Sequence, residues 1–258
     1  MTMSTDDKNV LLLRLKQACA IGVIAMLGAC SSGRDQAALN MHDPYEETNR
    51  SVFAFNMGLD SAVLEPVADG YRSVVPSGGQ RAIANHLDWV TLPNTAINST
   101  LQGKFENAGL AVLRFAVNGL TLGLVDLMDE DERPTREDFG QTLAAANIAE
   151  GPYVVMPVLG GSTSRELAGR VVDFAINPLS ILNTGETTEA LRTAQIPMGA
   201  VSVRAENFEL INQVKYESLD PYARVRAVYY QQREGLLADQ NPDDASTAAD
   251  DVFETIFE

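Results

Sequence analysis

Groups that commonly bind metals or form disulfides are scarce in this sequence. Its 258 residues include two cysteines, Cys19 and Cys30, and two histidines, His42 and His86. The histidines are not spaced as a pair on one helical face, so a zinc site built from Cys and His is not expected. We therefore expect no metal and no cofactor, and a catalytic triad would have to rely on a single histidine.

Positive charge is scarce as well. The chain has 19 Lys and Arg against 35 Asp and Glu, which gives a net charge of −16. Nucleic-acid binding depends on Lys and Arg that neutralise phosphates, so this class of function is not expected. Broad electrostatic docking on an anionic bilayer is not expected either. If the protein binds lipid, apolar contact must supply the affinity.

The N-terminus carries a short apolar run behind basic residues. The apolar stretch extends from Ala18 to Met26 and is followed by Leu27-Gly28-Ala29-Cys30. This pattern is typical of a signal peptide, and the run is shorter than the about 20 residues that span a bilayer. The last four residues resemble a bacterial lipobox, so residues 1–29 are predicted to be cleaved and Cys30 to carry a lipid anchor. An ordinary signal peptide that happens to end in Cys is the alternative.

Residues 30–42 are then predicted to be a lipidated tether. Two or more acyl chains suffice for stable attachment to a membrane. Ser31 rather than Asp follows the cysteine, which by analogy with the enteric sorting rule favours the outer membrane. No free thiol would remain in the mature chain, because Cys19 lies in the cleaved segment.

The body of the chain, residues 43–238, has helical periodicity and is predicted to be one all-α domain of short amphipathic helices. Asp43-Pro44-Tyr45-Glu46 predicts a helix start with an acidic cap, and Asp220-Pro221-Tyr222 predicts another. Thr163 and Glu166 are predicted to form a capping box. The best strand candidate, 153–158, contains Pro157, so no sheet is predicted.

Two further segments have distinctive compositions. Residues 110–128 are apolar on nearly all faces apart from Arg114, Asn118 and Asp126, which favours two short helices in a membrane with Arg114 turned inward. The alternative is a core helix in which Arg114 pairs with an acid.

Residues 239–258 are acidic and contain no Lys or Arg, so a disordered tail is predicted. A short docking motif at 252–257 is the alternative.

Many short motifs follow one another in an order that is specific as a set. They are Asp43-Pro44-Tyr45-Glu46-Glu47-Thr48-Asn49-Arg50, Val52-Phe53-Ala54-Phe55-Asn56, Pro93-Asn94 with Asn98, Leu101-Gln102-Gly103, Arg114-Phe115 with Asn118, Asp138-Phe139-Gly140-Gln141-Thr142-Leu143, Gly151-Pro152-Tyr153, Asp220-Pro221-Tyr222 and Tyr229-Tyr230-Gln231. With the lipobox before them, they resemble the MlaA (VacJ) family over almost the whole mature body. The chain departs from that family at Ala146-Asn147, where an aromatic residue and Gly are usual, and in its acidic tail.

The resemblance implies a helical ring in the inner leaflet of the outer membrane with an amphipathic channel. Such a protein extracts mislocalised phospholipids from the outer leaflet and passes them to a periplasmic carrier, MlaC, which maintains lipid asymmetry. It also implies a trimeric porin as a neighbour and no enzymatic activity. The alternatives are a structural envelope lipoprotein that scaffolds a porin without lipid transport, and a lipid esterase with a serine nucleophile, His86 as base and Asp88 or another acid as its orienting group.

A phospholipid path needs a polar strip for headgroups beside apolar surface for tails. The candidate residues that line the channel or order the ring are Asn49, Arg50, Phe53, Asn56, Asn98, Arg114, Asn118, Phe139, Gln141, Tyr153 and Arg165. For Asn49 and Asn56 the alternative is that they satisfy buried backbone groups. Gly151, Gly160 and Gly161 are candidate hinges, or ordinary turns.

Overall fold

The structure is a computed structural model that describes residues 43–129, 132–177 and 186–238, with the backbone alone for 186–193. The predicted signal peptide (1–29), the tether with Cys30 (30–42) and the acidic tail (239–258) lie outside the described residues.

Short helices dominate the described chain. The elements are α1 (Glu46–Leu59), a π-helical turn (Asp60–Leu64), α2 (Glu65–Val74), α3 (Ser77–Trp89), α4 (Leu92–Leu101), α5 (Phe105–Gly119), α6 (Phe139–Ala145), β1 (Tyr153–Met156), β2 (Gly160–Thr163), α7 (Ser164–Ile176), α8 (Glu186–Glu206), α9 (Phe208–Glu217) and α10 (Pro221–Ala238). The prediction of one predominantly helical domain is confirmed. No helix in the described ranges is both long enough and apolar enough to cross a bilayer.

A β-hairpin interrupts the helices, although no sheet was expected. Strands β1 and β2 are antiparallel, with Tyr153 opposite Thr163 and Met156 opposite Gly160. The sequence prediction was wrong here because Pro157 follows the last residue of β1 and removes no hydrogen bond from the ladder.

The hairpin joins distant parts of the chain. Strand β1 packs on α1, and β2 packs on α7 and α10. The buried residues Tyr153, Val155 and Tyr222 form an apolar cluster at this junction. Elsewhere α4 packs on α5, α6 on α7, and α8 on α2.

The segment 110–128 does not form two short helices. Helix α5 runs through to Gly119, and turns follow it, with positive φ angles of 55° at Leu122 and 73° at Gly123. The turns are closed by Asn118, whose Oδ1 accepts a hydrogen bond from the backbone N–H of Leu127 at 2.9 Å. The pattern indicated helix because its residues are apolar, and it did not reveal this side-chain contact.

Two predicted helix caps are also wrong. Helix α1 begins without a side-chain cap, because the carboxylate of Asp43 binds other side chains. Thr163 precedes α7 but makes no capping hydrogen bond, and Glu166 is engaged by Tyr229 and Arg233. A capping box occurs instead at Asp138 and Gln141, before α6.

Candidate functional site

Polar side chains fill much of the interior of the described chain. Among its buried residues, polar and charged types outnumber apolar ones. Large apolar side chains are widely exposed, and Val74, Phe105 and Leu120 expose 80%, 71% and 83% of their surface. Buried polar groups need partners, so the contacts of these residues define the candidate site.

Asn49 and Asn56 of α1 bind backbone groups of strand β1 and of Val158, two residues after it. The Nδ2 of Asn49 donates to the carbonyl of Tyr153 at 3.0 Å, and its Oδ1 accepts from the N–H of Val155 at 2.8 Å. Asn56 repeats this pattern with the carbonyl of Met156 at 3.0 Å and the N–H of Val158 at 2.8 Å. Both side chains therefore satisfy backbone groups and dock the hairpin on α1.

Arg50 takes part in a reciprocal contact between the starts of α1 and α10. Its guanidinium donates to both carboxylate oxygens of Asp220, at 3.0 and 2.7 Å. In return, Arg226 of α10 pairs with Asp43 at 2.8 Å. The hydrogen bond from Arg50 lowers the pKa of Asp220 to about 2. The two Asp-Pro-Tyr segments are thus joined by two ion pairs. In each pair, the aspartate of one segment binds an arginine of the helix that follows the other segment.

Tyr153 lies at the centre of an aromatic cluster under the hairpin. It is 1% exposed, and its ring centroid lies 5.4 Å from Tyr229, 5.8 Å from Tyr230 and 6.5 Å from Tyr222. Phe53 packs edge-on against Tyr222 with a centroid distance of 5.5 Å. Burial raises the pKa of Tyr153 to about 12. These contacts have the geometry of ordinary aromatic packing.

Asn98 connects α4 with α6 and α7. Its Nδ2 donates to Oδ1 of Asp173 at 2.8 Å, and its Oδ1 accepts from the hydroxyl of Thr142 at 2.9 Å. The other carboxylate oxygen of Asp173 accepts from the backbone N–H of Phe139 at 2.9 Å. Burial raises the pKa of Asp173. One carboxylate thus holds the start of α6 against α4.

Gln141 belongs to the same region. It is 1% exposed and completes the capping box, since its Oε1 accepts from the N–H of Asp138 at 3.1 Å. The carboxylate of Asp138 also binds Arg233 of α10 at 2.8 Å. Gln141 therefore orders a helix start that α10 holds in place.

Arg114 and Asn118 meet at one buried carboxylate. The Nη2 of Arg114 and the Nδ2 of Asn118 each lie 2.9 Å from Asp126, and Arg114 also pairs with Asp88 at 2.8 Å. Burial by itself raises the pKa of Asp126, but the hydrogen bonds from Arg114 and Asn118 outweigh it and hold that pKa below its usual value. The pairing of Arg114 with an interior acid is the alternative that the sequence left open.

Arg165 is buried beside the hairpin with incomplete hydrogen bonding. Its Nη1 donates to the carbonyl of Ile148 at 3.0 Å, while its Nε has no partner among the described residues. Burial lowers the pKa of Arg165 and raises that of Glu150. The hydrogen bond that fixes this arginine therefore goes to a backbone carbonyl.

Of the three candidate hinge glycines, Gly151 precedes β1, and Gly160 and Gly161 begin β2. Gly151 and Gly160 have positive φ angles of 75° and 76°, which favour glycine. Gly161 lies against the ring of Tyr153, where a Cβ atom would lie 2.0 Å from the tyrosine oxygen. These turn and contact requirements account for the glycines without a movement, and their role as hinges stays a prediction.

One buried ion cluster was missed by the sequence analysis. Asp60 binds Arg204 at 2.8 Å and Lys215 at 2.7 Å, and Lys215 also binds Glu65 at 2.7 Å. The π-helical turn that begins at Asp60 widens the helix and changes which side chains share a face. Ordinary helical spacing gives no signal for this pairing of α8 and α9 with the end of α1.

The structure distributes the predicted residues over several clusters rather than around one cavity. One cavity of about 220 Å³ is an apolar groove between α1, α9 and α10, and another of about 210 Å³ has a mixed lining between α2, α3 and α8. Neither of these two cavities is lined by a residue from the predicted set.

His86 and Asp88 are engaged in ways that do not resemble a catalytic pair. The Nδ1 of His86 lies 2.7 Å from the carbonyl of Leu122, and the carboxylate of Asp88 pairs with Arg114. In the described ranges, no group of His, Cys, Asp and Glu is arranged to hold a metal ion.

Comparison with known proteins gives a consistent result. A sequence model of the family described as MlaA lipoprotein matches residues 41–236. The intermembrane phospholipid transport system lipoprotein MlaA of Escherichia coli is 29% identical over 253 residues, covering 93% of this chain and 97% of that protein. Its counterpart in Haemophilus influenzae is 30% identical over 233 residues, covering 82% and 85%.

Two further relatives extend this comparison. An uncharacterised protein of Rickettsia typhi is 31% identical over 213 residues, covering 80% of this chain and 83% of that protein. A solved structure described as the structural basis for maintenance of bacterial outer membrane lipid asymmetry has a TM-score of 0.66 and 29% identity. The match covers 76% of this chain and 98% of that one.

Proposed function

This chain belongs to the MlaA lipoprotein family, and on that premise we propose that it is an outer-membrane lipoprotein of an intermembrane phospholipid transport system. It takes up phospholipids that have strayed into the outer leaflet and passes them to a periplasmic carrier. The outer membrane thereby keeps its lipid asymmetry.

The distribution of polar and apolar side chains supports this proposal independently of the family membership. Water-soluble proteins usually bury apolar residues, so a polar interior is informative, whereas exposed apolar residues alone are common. Here the buried polar network occurs together with large apolar side chains that expose most of their surface. This combination suits helices that lie in the inner leaflet, with apolar side chains against acyl chains and polar contacts that hold the helices together.

We assign the predicted polar residues to the ordering of a helical ring. Asn49, Asn56 and Asn98 each bind groups on other elements of the chain. Arg50 and Arg114 are likewise bound to carboxylates. A ring held by such contacts would keep a path open for a headgroup, whose transfer through hydrocarbon otherwise costs several kcal/mol or more.

No bond-making or bond-breaking step is part of the proposed function. A passive path follows the lipid gradient, so its direction must come from the partner that removes lipid. The proposed partners are an MlaC-like periplasmic carrier, which receives the phospholipid, and a trimeric porin, which neighbours the ring in the membrane.

Deletion of the gene in the native bacterium tests this function. We expect more phospholipid on the cell surface, measured by a probe that modifies only outer-leaflet lipids. The full sequence and the matched variant Ser32→Ala should restore the parental level. Cys30→Ala should not restore it, because loss of the acylated cysteine removes the anchor. An unchanged surface lipid content after deletion would contradict the proposal.

A further inference from the structure

The cavity between α2, α3 and α8 has the size and lining of a site for a small polar group. Its volume is about 210 Å³, below the roughly 300 Å³ at which pockets for whole drug-sized ligands begin. Its polar lining consists of Tyr71, Ser77, Gln80, Arg81, Ser202 and Glu206. A headgroup would fit this volume, whereas a complete diacyl lipid would not.

A buried group in this cavity lacks a partner within the chain. The hydroxyl of Tyr71 is buried and has no hydrogen bond to any described residue. Ser202, which is 7% exposed, lines the same cavity. A buried hydroxyl without a partner lowers stability. The oxygen of Tyr71 has an accessible surface of less than 1 Å², so a ligand in the cavity supplies the missing hydrogen bond only when the side chain of Tyr71 turns toward it.

Two opposite charges line the cavity without pairing. Arg81 and Glu206 are exposed, and neither forms an ion pair with another described residue. This differs from Arg50, Arg114 and Arg204, each of which binds a carboxylate. An unpaired cation and an unpaired anion at one cavity complement a ligand that carries both charges.

We propose that this cavity binds the zwitterionic headgroup of a phospholipid, with Arg81 and Tyr71 holding the phosphate and Glu206 holding the ammonium group. Helix α3 begins at Ser77, one turn before Arg81, and its first backbone N–H groups add positive potential at the phosphate. Val74 lies three residues after Tyr71 on α2 and is 80% exposed, so an apolar side chain is available for the first acyl carbons. The inference rests on the proposed function, which makes phospholipid the ligand.

Calorimetry on the mature lipidated protein in detergent tests the site. The probes are short-chain phosphatidylethanolamine, short-chain phosphatidylglycerol, phosphoethanolamine and inorganic phosphate. We expect the protein to prefer phosphatidylethanolamine. Arg81→Gln should weaken binding of both lipids by roughly tenfold, as for loss of one charge-assisted hydrogen bond. Glu206→Gln should weaken phosphatidylethanolamine alone and remove the preference.

Matched variants separate binding from folding. Arg224→Gln and Glu47→Gln remove exposed charges outside this cavity and should leave both affinities unchanged. Tyr71→Phe should weaken lipid binding, while the melting temperature without lipid stays equal or rises, because the lost hydroxyl has no partner in the protein. If Arg81→Gln does not fold, Glu206→Gln and Tyr71→Phe decide the question.

Three results overturn the assignment in distinguishable ways. If the Arg81 and Glu206 variants bind both lipids as the parent does, the cavity is not the headgroup site, and the proposed function stands. If inorganic phosphate binds as tightly as the lipids, the cavity is a site for free phosphate. If the parent binds no phospholipid, the proposed function fails together with this inference.

Discussion

Asn49 and Asn56 show how single side chains position the hairpin. Seven residues of α-helix rise roughly 10.5 Å. The three residue-to-residue steps from Tyr153 to Met156 extend a strand by about 10 Å. Two asparagines seven apart on α1 therefore match two peptide positions three apart on β1. A carboxamide suits this role because it both donates and accepts, as a peptide group does.

The replacement Asn49→Ala should lower the free energy of unfolding by about 2 kcal/mol, because the carbonyl of Tyr153 and the N–H of Val155 lose their partner. Asn49→Asp should also destabilise, since it loses the donor and adds charge beside Asp43. Denaturant unfolding in detergent, followed by circular dichroism, measures both. The exposed control Ser51→Ala should change stability by less than about 0.5 kcal/mol. Equal stability of Asn49→Ala and the control would contradict this role.

The sequence revealed part of this residue chemistry. The spacing of Asn49 and Asn56 beside Phe53 indicated that they could satisfy backbone groups. It could not reveal which groups, because β1 lies about a hundred residues later in the chain. The pairing of Asp60 with Arg204 was missed for the same reason, because the two residues are 144 positions apart.

At the scale of elements, helices α6 and α7 approach so closely that their backbones touch. A Cβ atom added at Gly169 of α7 would lie 2.4 Å from the backbone nitrogen of Gly140 in α6. Asp173, also on α7, accepts the N–H of Phe139 at the start of α6. Small residues allow this close approach, and the hydrogen bond fixes its position.

The replacement Gly169→Ala should therefore destabilise the protein by about 1–3 kcal/mol, the usual cost of overpacking. Gly109→Ala is the matched control, because Gly109 lies in helix α5 with no atom within 4 Å of the added Cβ. It should stabilise the helix by roughly 0.5–1 kcal/mol. The melting temperatures of the two variants in detergent should move in opposite directions, and movement in the same direction would contradict the packing described here.

Elements with local signals were predicted better than those that depend on distant contacts. The helix starts near Glu46 and Pro221 were marked by Asp-Pro-Tyr, although only Asp220 binds a backbone N–H of the helix that it precedes. The hairpin was missed because Pro157 was taken as part of the strand, whereas it directly follows β1. The hydrogen bonds from Asn49 and Asn56 that hold β1 on α1 join residues about a hundred positions apart. The turns after Gly119 were missed because the side chain of Asn118 closes them.

At the scale of the whole molecule, the family was recognisable from many ordered motifs, and the matching family model and relatives confirm it. The predominance of helix followed from periodicity. The polar interior and the small mixed-lining cavity were not predictable, because burial depends on how all the helices pack together. The family membership, the helical fold and the polar interior agree with a role in phospholipid transport.

Mass spectrometry of the lipids bound to the purified, mature lipidated protein tests whether this protein carries intact phospholipid. We expect one or a few intact diacyl phospholipids per protein, unchanged after prolonged incubation. Lysophospholipid or free fatty acid formed in proportion to the amount of protein would contradict it, as would a protein that retains no phospholipid.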